Sequence, residues 1–262
     1  MPAERRPGKA WAQTHSIAVL LPCHNEAAAI GSVVAAFQRA LPSARVYVYD
    51  NASTDDTAEA AGRAGATVRR EPQRGKGNVV RRMLEEIDAD VYVLADGDGT
   101  YDPSAAGLLI DAMVAHDLDM VVAARAGGRE AYRPGHRAGN RCFNQVVGYL
   151  FGHGLTDILS GYRVLSRRFA KSFPVASSGF EIETELSVRA LDLRIATAEI
   201  PLPYRARPAG SHSKLRTWSD GWRILVMTLM LYKELKPLHF FGSIGAALTT
   251  AAIALGVPLL LN

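Results

Sequence analysis

The chain has 262 residues, 48% apolar and 21% charged, enough to bury a full core in one or two domains, which excludes a disordered chain and a disulfide scaffold. Its two cysteines, Cys23 and Cys142, lie far apart without the spacing of a zinc or redox pair, as expected of a reducing compartment. A formal charge of +4 is compatible with an anionic lipid surface, with a phosphorylated substrate or with neither, and does not choose among them.

Arg5, Arg6 and Lys9 precede the first apolar run, but that run stops at Pro22 and is too short for a signal peptide, so residues 1–16 are read as a tail. SIAVLLP predicts a strand. NEAAAIGSVVAAFQRAL repeats apolar residues at helical spacing, with Asn25 available as its cap. ARVYVYDNAS is a second strand ending in turn residues, TDDTAEAAGRAG a helix closed by Gly65, and ATVRREP a short strand. QRGKGNVVRRMLEEIDA is a glycine loop opening a helix, DVYVLADGDG a strand, PSAAGLLIDAMVAH a helix and DMVVAAR another strand. This alternation implies a parallel sheet covered on both faces. In such sheets ligands sit beyond the carboxyl ends of the strands, where the sequence places residues 23–26, 50–53 and 96–98.

After Arg125 the pattern loosens into a basic, glycine-containing connection, followed by a helix-like run, NRCFNQVVGYLFGHG. TDILSGYRVLSRRFAKSF carries no assignment, GFEIETELSVRALDL predicts a helix, and IATAEIPLPYRARPAG predicts an edge strand. Residues 218–236 read as an amphipathic helix with Trp218 and Trp222, open to two readings: a membrane-interface element or packing on the catalytic domain. Residues 237–262 lack Asp, Glu, Lys and Arg, and FFGSIGAALTTAAIALGVPLLL approaches the roughly 20 apolar residues a membrane helix needs. The alternative is a buried core helix. Lys233, Lys236 and Arg223 flank this run on its N-terminal side, which by the positive-inside tendency puts the main domain, residues 17–217, in the cytoplasm.

Asp96-Gly97-Asp98 brings two carboxylates into one turn, an arrangement suited to a divalent cation holding a diphosphate. Asp50 and Glu26 fall on the same rim, where carboxylates can accept from a nucleobase or ribose. For Asp55 and Asp56 helix capping is the simpler reading. Arg74-Gly75-Lys76-Gly77-Asn78 precedes a helix, so free N–H groups, the helix dipole and the Lys76 ammonium could meet an anion together. The chain has no Walker P-loop, no GxGxxG after the first strand, no GxSxG and no HExxH.

LPCHNEAAAI, YDNASTDDT, RGKGNVVRRML, ADGDGTYDP, DILSGYRVLSRRF, GFEIETEL and YRARPAGSHSKL, taken in order across residues 17–223, resemble the motifs of family 2 inverting glycosyltransferases of the GT-A fold. Within that family the resemblance is to the polyprenyl-phosphate (dolichyl-phosphate) hexosyltransferases. It implies an α/β fold, a Rossmann-like, mostly parallel sheet with helices on both faces, followed by amphipathic and transmembrane helices. It implies transfer of a hexose from a nucleotide-sugar, with a UDP-sugar favoured over GDP-mannose, to a polyprenyl phosphate at the membrane, with Mg²⁺ or Mn²⁺ on Asp96 and Asp98. Carried over by position, Pro22, His24, Glu26, Asp50, Lys76 and Asp96 would bind the nucleotide-sugar. Asp98, Asp157 and Arg125 would be catalytic, and Ser160, Arg163, Arg205, Ser213 and Lys214 would bind the acceptor phosphate. Asp157 is open to two readings, an orienter or a weak base. Thr100 stands where this pattern often has Gln, and His24 where it often has Tyr. No nucleic-acid partner is expected, and a homo-oligomer is allowed. The rivals are a transferase with a non-lipid acceptor and a non-catalytic, membrane-tethered nucleotide-sugar-binding scaffold.

Overall fold

The computed structural model describes residues 11–126, 136–152, 154–205, 207 and 217–261. After a short helix α1 (Trp11–Thr14) come β1 (Ile17–Cys23), α2 (Ala27–Ala40), β2 (Arg45–Asp50), α3 (Thr57–Arg63), β3 (Thr67–Arg70), α4 (Lys76–Glu86) and β4 (Val91–Leu94). A single 3-10 turn, Pro103–Ala105, leads into α5 (Ala106–Ala115), β5 (Met120–Ala126) and α6 (His136–Phe151). Then follow β6 (Arg163–Ser166), α7 (Arg167–Ala170), α8 (Ile182–Asp192), β7 (Thr197–Pro203), α9 (Thr217–Leu235) and α10 (Pro237–Leu261).

The strands form one seven-stranded sheet in the order β3-β2-β1-β4-β6-β5-β7. β3, β2, β1 and β4 are parallel neighbours, as are β5 and β7, while β6 runs antiparallel to both β4 and β5. The mixed α/β sheet of the expected fold class is therefore present, with β6 as an antiparallel insertion that the sequence left unassigned. Side chains alternate across the sheet, so β1 sends Ala18 and Leu20 into one apolar cluster and Ile17, Val19 and Leu21 into the other. Val79, Met83, Val147 and Ile182 of α4, α6 and α8 seal the first face; Ile30, Val34, Phe37 and Leu109 of α2 and α5 seal the second. Trp11, inside the stretch read as a tail, is buried in the second cluster, and its indole N–H donates to Asp111 Oδ1 at 2.5 Å. The packed body thus begins before residue 17. β7 forms the edge, where Pro201 and Pro203 are tolerated because no further strand needs their missing N–H.

α9 has two apolar faces. Ile224, Thr228 and Leu231 are buried, while Trp222, Leu225, Leu229 and Met230 are exposed. The Trp218 side chain lies outside the described part. α10 is long and apolar enough to cross a bilayer and is exposed over Pro237–Leu255, so the buried-core alternative for this helix does not hold. Its base is tied to the body by Lys236 Nζ on Asp192 Oδ1 of α8 at 2.9 Å and by edge contact of the Tyr232 and Phe240 rings.

Candidate active site

Parallel register aligns Cys23 with Asp50, and β4 delivers Asp96 and Asp98 beside them on the carboxyl edge of the sheet. Asn25 does not cap α2. It takes a positive φ of 53°, and its Oδ1 accepts from Thr54 N at 2.8 Å while its N–H donates to Ser53 Oγ at 2.9 Å, locking two strand-end loops together. Glu26 N donates to Thr57 Oγ1 at 2.8 Å and Ala27 N to Asp55 Oδ2 at 3.2 Å; Asp55 Oδ1 also takes Thr57 N at the start of α3. Asp55 thus takes N–H groups at the starts of both α2 and α3, whereas Asp56, at the N-cap of α3, makes no side-chain capping bond. The His24 ring bonds through Nδ1 to Asn51 O at 2.9 Å, and Pro22 is buried within β1 opposite Tyr49. Asp50 is buried, and its Oδ1 has no hydrogen-bond partner among the described residues. A buried carboxylate oxygen in that state is an acceptor open to a further donor.

The Gly-Lys-Gly segment is shaped by contacts distant in sequence. Asn51 donates to Glu71 O and Gln73 O at 3.0 and 2.7 Å and accepts from Gly75 N at 2.7 Å. A Cβ on Gly75, whose φ is 126°, would lie 2.0 Å from Ser178 O, and one on Gly77 2.3 Å from Ser177 O. Only glycine permits that approach. The N–H groups of Gly77 and Asn78 donate to Gly179 O at 3.1 Å and Ser178 O at 3.3 Å. These donors at the α4 N-terminus are spent on backbone carbonyls, which corrects the expectation that free N–H groups there meet an anion.

The Lys76 ammonium lies between Asp96 Oδ1 and Glu183 Oε1 of α8. Burial by itself would depress its pKa, but the Asp96 and Glu183 carboxylates outweigh that and raise it above the ordinary value. Gly161 walls this cluster: a Cβ there would come within 2.6 Å of Asp96 Oδ2 and 3.1 Å of Lys76 Nζ. Asp98 Oδ1 accepts from Thr100 N at 3.0 Å and Thr100 Oγ1 at 2.6 Å, and Asp98 Oδ2 pairs with the Arg207 guanidinium at 2.7 Å. Thr100, standing in for the more usual Gln, orients Asp98. The Cys23 thiol records the resulting negative field, since burial and then Glu26, Asp96, Asp50 and Asp98 all push its pKa up.

On the opposite side of this turn, Asp157 grips Arg125 with Oδ2 on Nε at 2.8 Å and Oδ1 on Nη2 at 2.6 Å, and also takes Arg125 N at 2.9 Å. Both carboxylate oxygens are engaged, which favours the orienter reading over the base. The Arg125 guanidinium stands 5.7 Å from the Tyr204 ring centre, and Tyr204 packs on Tyr101 at 5.3 Å. The Tyr101 hydroxyl accepts from Gly161 N at 2.9 Å. Its pKa is raised, by burial first and then by Asp96. The two tyrosines therefore connect the Asp96 turn with Arg125.

Three acceptor-side expectations fall elsewhere. Ser160 and Arg163 are fully buried; Ser160 Oγ donates to Ala123 O at 2.6 Å, and Arg163 donates to Ser160 O at 2.9 Å and Ile158 O at 2.7 Å. They brace the 157–162 loop from inside the sheet and are not exposed to a phosphate. Arg205 turns to Asp102 at 2.8 Å, while Arg207, two residues on, reaches Asp98. Ser213 and Lys214 lie outside the described residues. Glu183 and Arg207 are the residues the sequence reading missed, although both stood within quoted motifs: Glu183 in GFEIETEL and Arg207 at the Arg-Pro-Ala-Gly step. Among the described residues no three His, Cys, Asp or Glu side chains form a metal-holding group.

The family model described as "Glycosyl transferase family 2" matches residues 18–173. The chain is 36% identical over 248 residues to Glycosyltransferase AglJ of Haloferax volcanii, spanning 92% of this chain and 80% of that protein. It is 30% identical over 207 residues to a protein of the same organism named dolichyl-phosphate hexose transferase, spanning 78% of this chain and 89% of the relative. In three dimensions it resembles glucosyl-3-phosphoglycerate synthase from Mycobacterium tuberculosis, solved with Mn²⁺, UDP-glucose and phosphoglyceric acid. The TM-score is 0.69 at 25% identity, covering 87% of this chain and 86% of that one.

Proposed function

The chain belongs to glycosyl transferase family 2 and is a glycosyltransferase of hexosyltransferase type, and on that premise we propose that it moves a hexose from a UDP-sugar to the phosphate of a polyprenyl phosphate at the cytoplasmic membrane face. The observation that carries this reading is the meeting of Lys76, Asp96 and Asp98 on one rim with the Asp157-held Arg125 across two tyrosines, in a chain that also carries an exposed apolar helix over Pro237–Leu255.

The donor side takes the nucleotide at Asp50, whose unpartnered oxygen accepts from a base N–H, with Glu26 and His24 alongside. Asp96 and Asp98, two carboxylates in one turn, would hold a hard divalent ion beside the diphosphate once Arg207 leaves Asp98. When bound, Mg²⁺ or Mn²⁺ supplies Lewis-acid neutralisation of the departing diphosphate. Lys76 adds positive charge to the same leaving group. Arg125, fixed by Asp157, orients the acceptor phosphate, and Arg207 contributes to that side once it leaves Asp98. An acceptor phosphate oxygen bonds to sugar C1 as the bond from C1 to the diphosphate oxygen breaks, its electron pair leaving with the nucleoside diphosphate. Configuration at C1 inverts. The acceptor is already ionised near neutral pH, so the site needs no strong base, in keeping with an Asp157 wholly engaged by Arg125.

The structural likeness to a synthase crystallised with phosphoglyceric acid supports a second reading, a small anionic acceptor. The two are separated by giving the full chain, in polyprenyl-phosphate liposomes, radiolabelled UDP-glucose, UDP-N-acetylglucosamine or GDP-mannose, with Mg²⁺, Mn²⁺ or EDTA. Metal-dependent label in the solvent-extractable lipid supports the first reading and names the donor. Label appearing only on added 3-phosphoglycerate supports the second.

A further inference from the structure

Glu181, Glu183 and Glu185, at the start of α8, are all buried, an expensive place for carboxylates unless each is matched. Two of them shape a loop. Glu185 accepts from Ala176 N at 3.0 Å, Ser177 N at 2.8 Å and Ser177 Oγ at 2.6 Å, and Glu181 from Ser178 N at 3.1 Å and Gly179 N at 2.9 Å. The carbonyls of that loop then receive the N–H groups of Gly77 and Asn78. Glu183 differs, because its partner lies outside that loop and is charged, the Lys76 ammonium of α4.

We propose that Glu183 is a positioning residue for donor binding, holding the Lys76 ammonium at the edge of Asp96 in the pose that meets the diphosphate. This rests on the reading of Lys76 as a diphosphate contact. A lysine has four side-chain torsions to fix, and an ammonium beside a single carboxylate is free to settle across both of its oxygens. The second carboxylate prevents that by pulling from the other side. One ammonium shared by two carboxylates also leaves a net negative charge, so Asp96 keeps its attraction for a cation. Of the three ammonium donors, two go to Asp96 and Glu183, leaving one for a phosphate oxygen. Gly161, with no room for even a Cβ beside Asp96 and Lys76, closes the cluster and keeps the ammonium from swinging away.

The test is equilibrium binding of UDP against UMP, and GDP against GMP, to the full chain carrying Glu183→Gln, Lys76→Met or both. Glu183→Gln keeps volume and an acceptor, and is expected to weaken the diphosphate about tenfold while the monophosphate changes less than about twofold. In the Lys76→Met background Glu183→Gln should add nothing, because Glu183 acts only through Lys76. In transfer assays the donor KM rises and the acceptor KM stays. Glu183→Asp, which keeps the charge but withdraws it by one methylene, is expected to fall between wild type and Glu183→Gln, and it carries the test if Glu183→Gln does not fold. Equal loss of diphosphate and monophosphate affinity, no loss in either substitution, or a loss that persists without Lys76 overturns the proposal alone. A wild-type chain that binds neither UDP nor GDP overturns the donor-site reading and this inference with it.

Discussion

Asp98 and Arg163 are both buried and both belong to motifs, yet they do different things, and substitutions separate them. Asp98 faces the rim, where its charge is met by Arg207 and its geometry is set by Thr100. Asp98→Asn should reduce transfer by about 100-fold, as expected for loss of a group that stabilises transition-state charge, with thermal unfolding within a few degrees of wild type. Arg163→Met should do the reverse. It strips two carbonyls of their donors and is expected to cost about 3 kcal/mol of stability while leaving acceptor KM unchanged in the folded fraction. An unchanged unfolding midpoint with a raised acceptor KM would return Arg163 to the acceptor side. The meeting of residues 23–26, 50–53 and 96–98 on one edge of the sheet was legible from the sequence because strand-end positions follow from the β and α alternation alone. Arg163 was not, because an Arg after Ser-Gly-Tyr looks the same whether its strand faces solvent or lies inside a sheet. Arg205 and Arg207 pair with different carboxylates, Asp102 and Asp98, a division that no pattern of residue types records.

Between elements, the contact that organises the site is α4 against the loop before α8. Gly77→Ala would put a methyl 2.3 Å from Ser177 O, and either α4 or the loop must shift, at a cost of about 2 kcal/mol or more. Because Lys76 moves with α4, donor affinity should fall together with stability. Gly139 in α6 is the control: a Cβ there meets nothing within 4 Å, so Gly139→Ala should stabilise by about 0.5–1 kcal/mol with unchanged donor affinity. Chemical denaturation paired with UDP titration measures both quantities on each variant. The Gly-Lys-Gly pattern announced a close approach but not its object, which is backbone about a hundred positions later in the chain. β6 escaped for a local reason. Its four residues, RVLS, are too few to display a period, and its place between β4 and β5 is fixed by pairing rather than by pattern.

At the scale of the whole molecule, α8 joins the candidate site to the exposed apolar helix: its first turn holds Lys76 through Glu183, and its last residue, Asp192, holds Lys236 at the foot of α10. Trp222, Leu225 and Leu229 of α9 are exposed, as is α10 over Pro237–Leu255. Composition alone exposed α10 in the sequence, since a long run without charge needs no partner to be recognised. The two-faced character of α9 required the packing. A chain ending at Lys236 should keep UDP affinity within about twofold, because the proposed donor residues lie on the sheet rim, and should no longer sediment with anionic vesicles, since one apolar helix dominates bilayer partition. The lipid-acceptor assignment is tested most directly by mass analysis of the product formed when polyprenyl phosphate and 3-phosphoglycerate compete at equal concentration for one labelled UDP-sugar in a single vesicle suspension. The expected product is a polyprenyl phosphate heavier by one hexosyl group, formed with Mg²⁺ or Mn²⁺ and absent with EDTA. Label on phosphoglycerate with none on the lipid would contradict it.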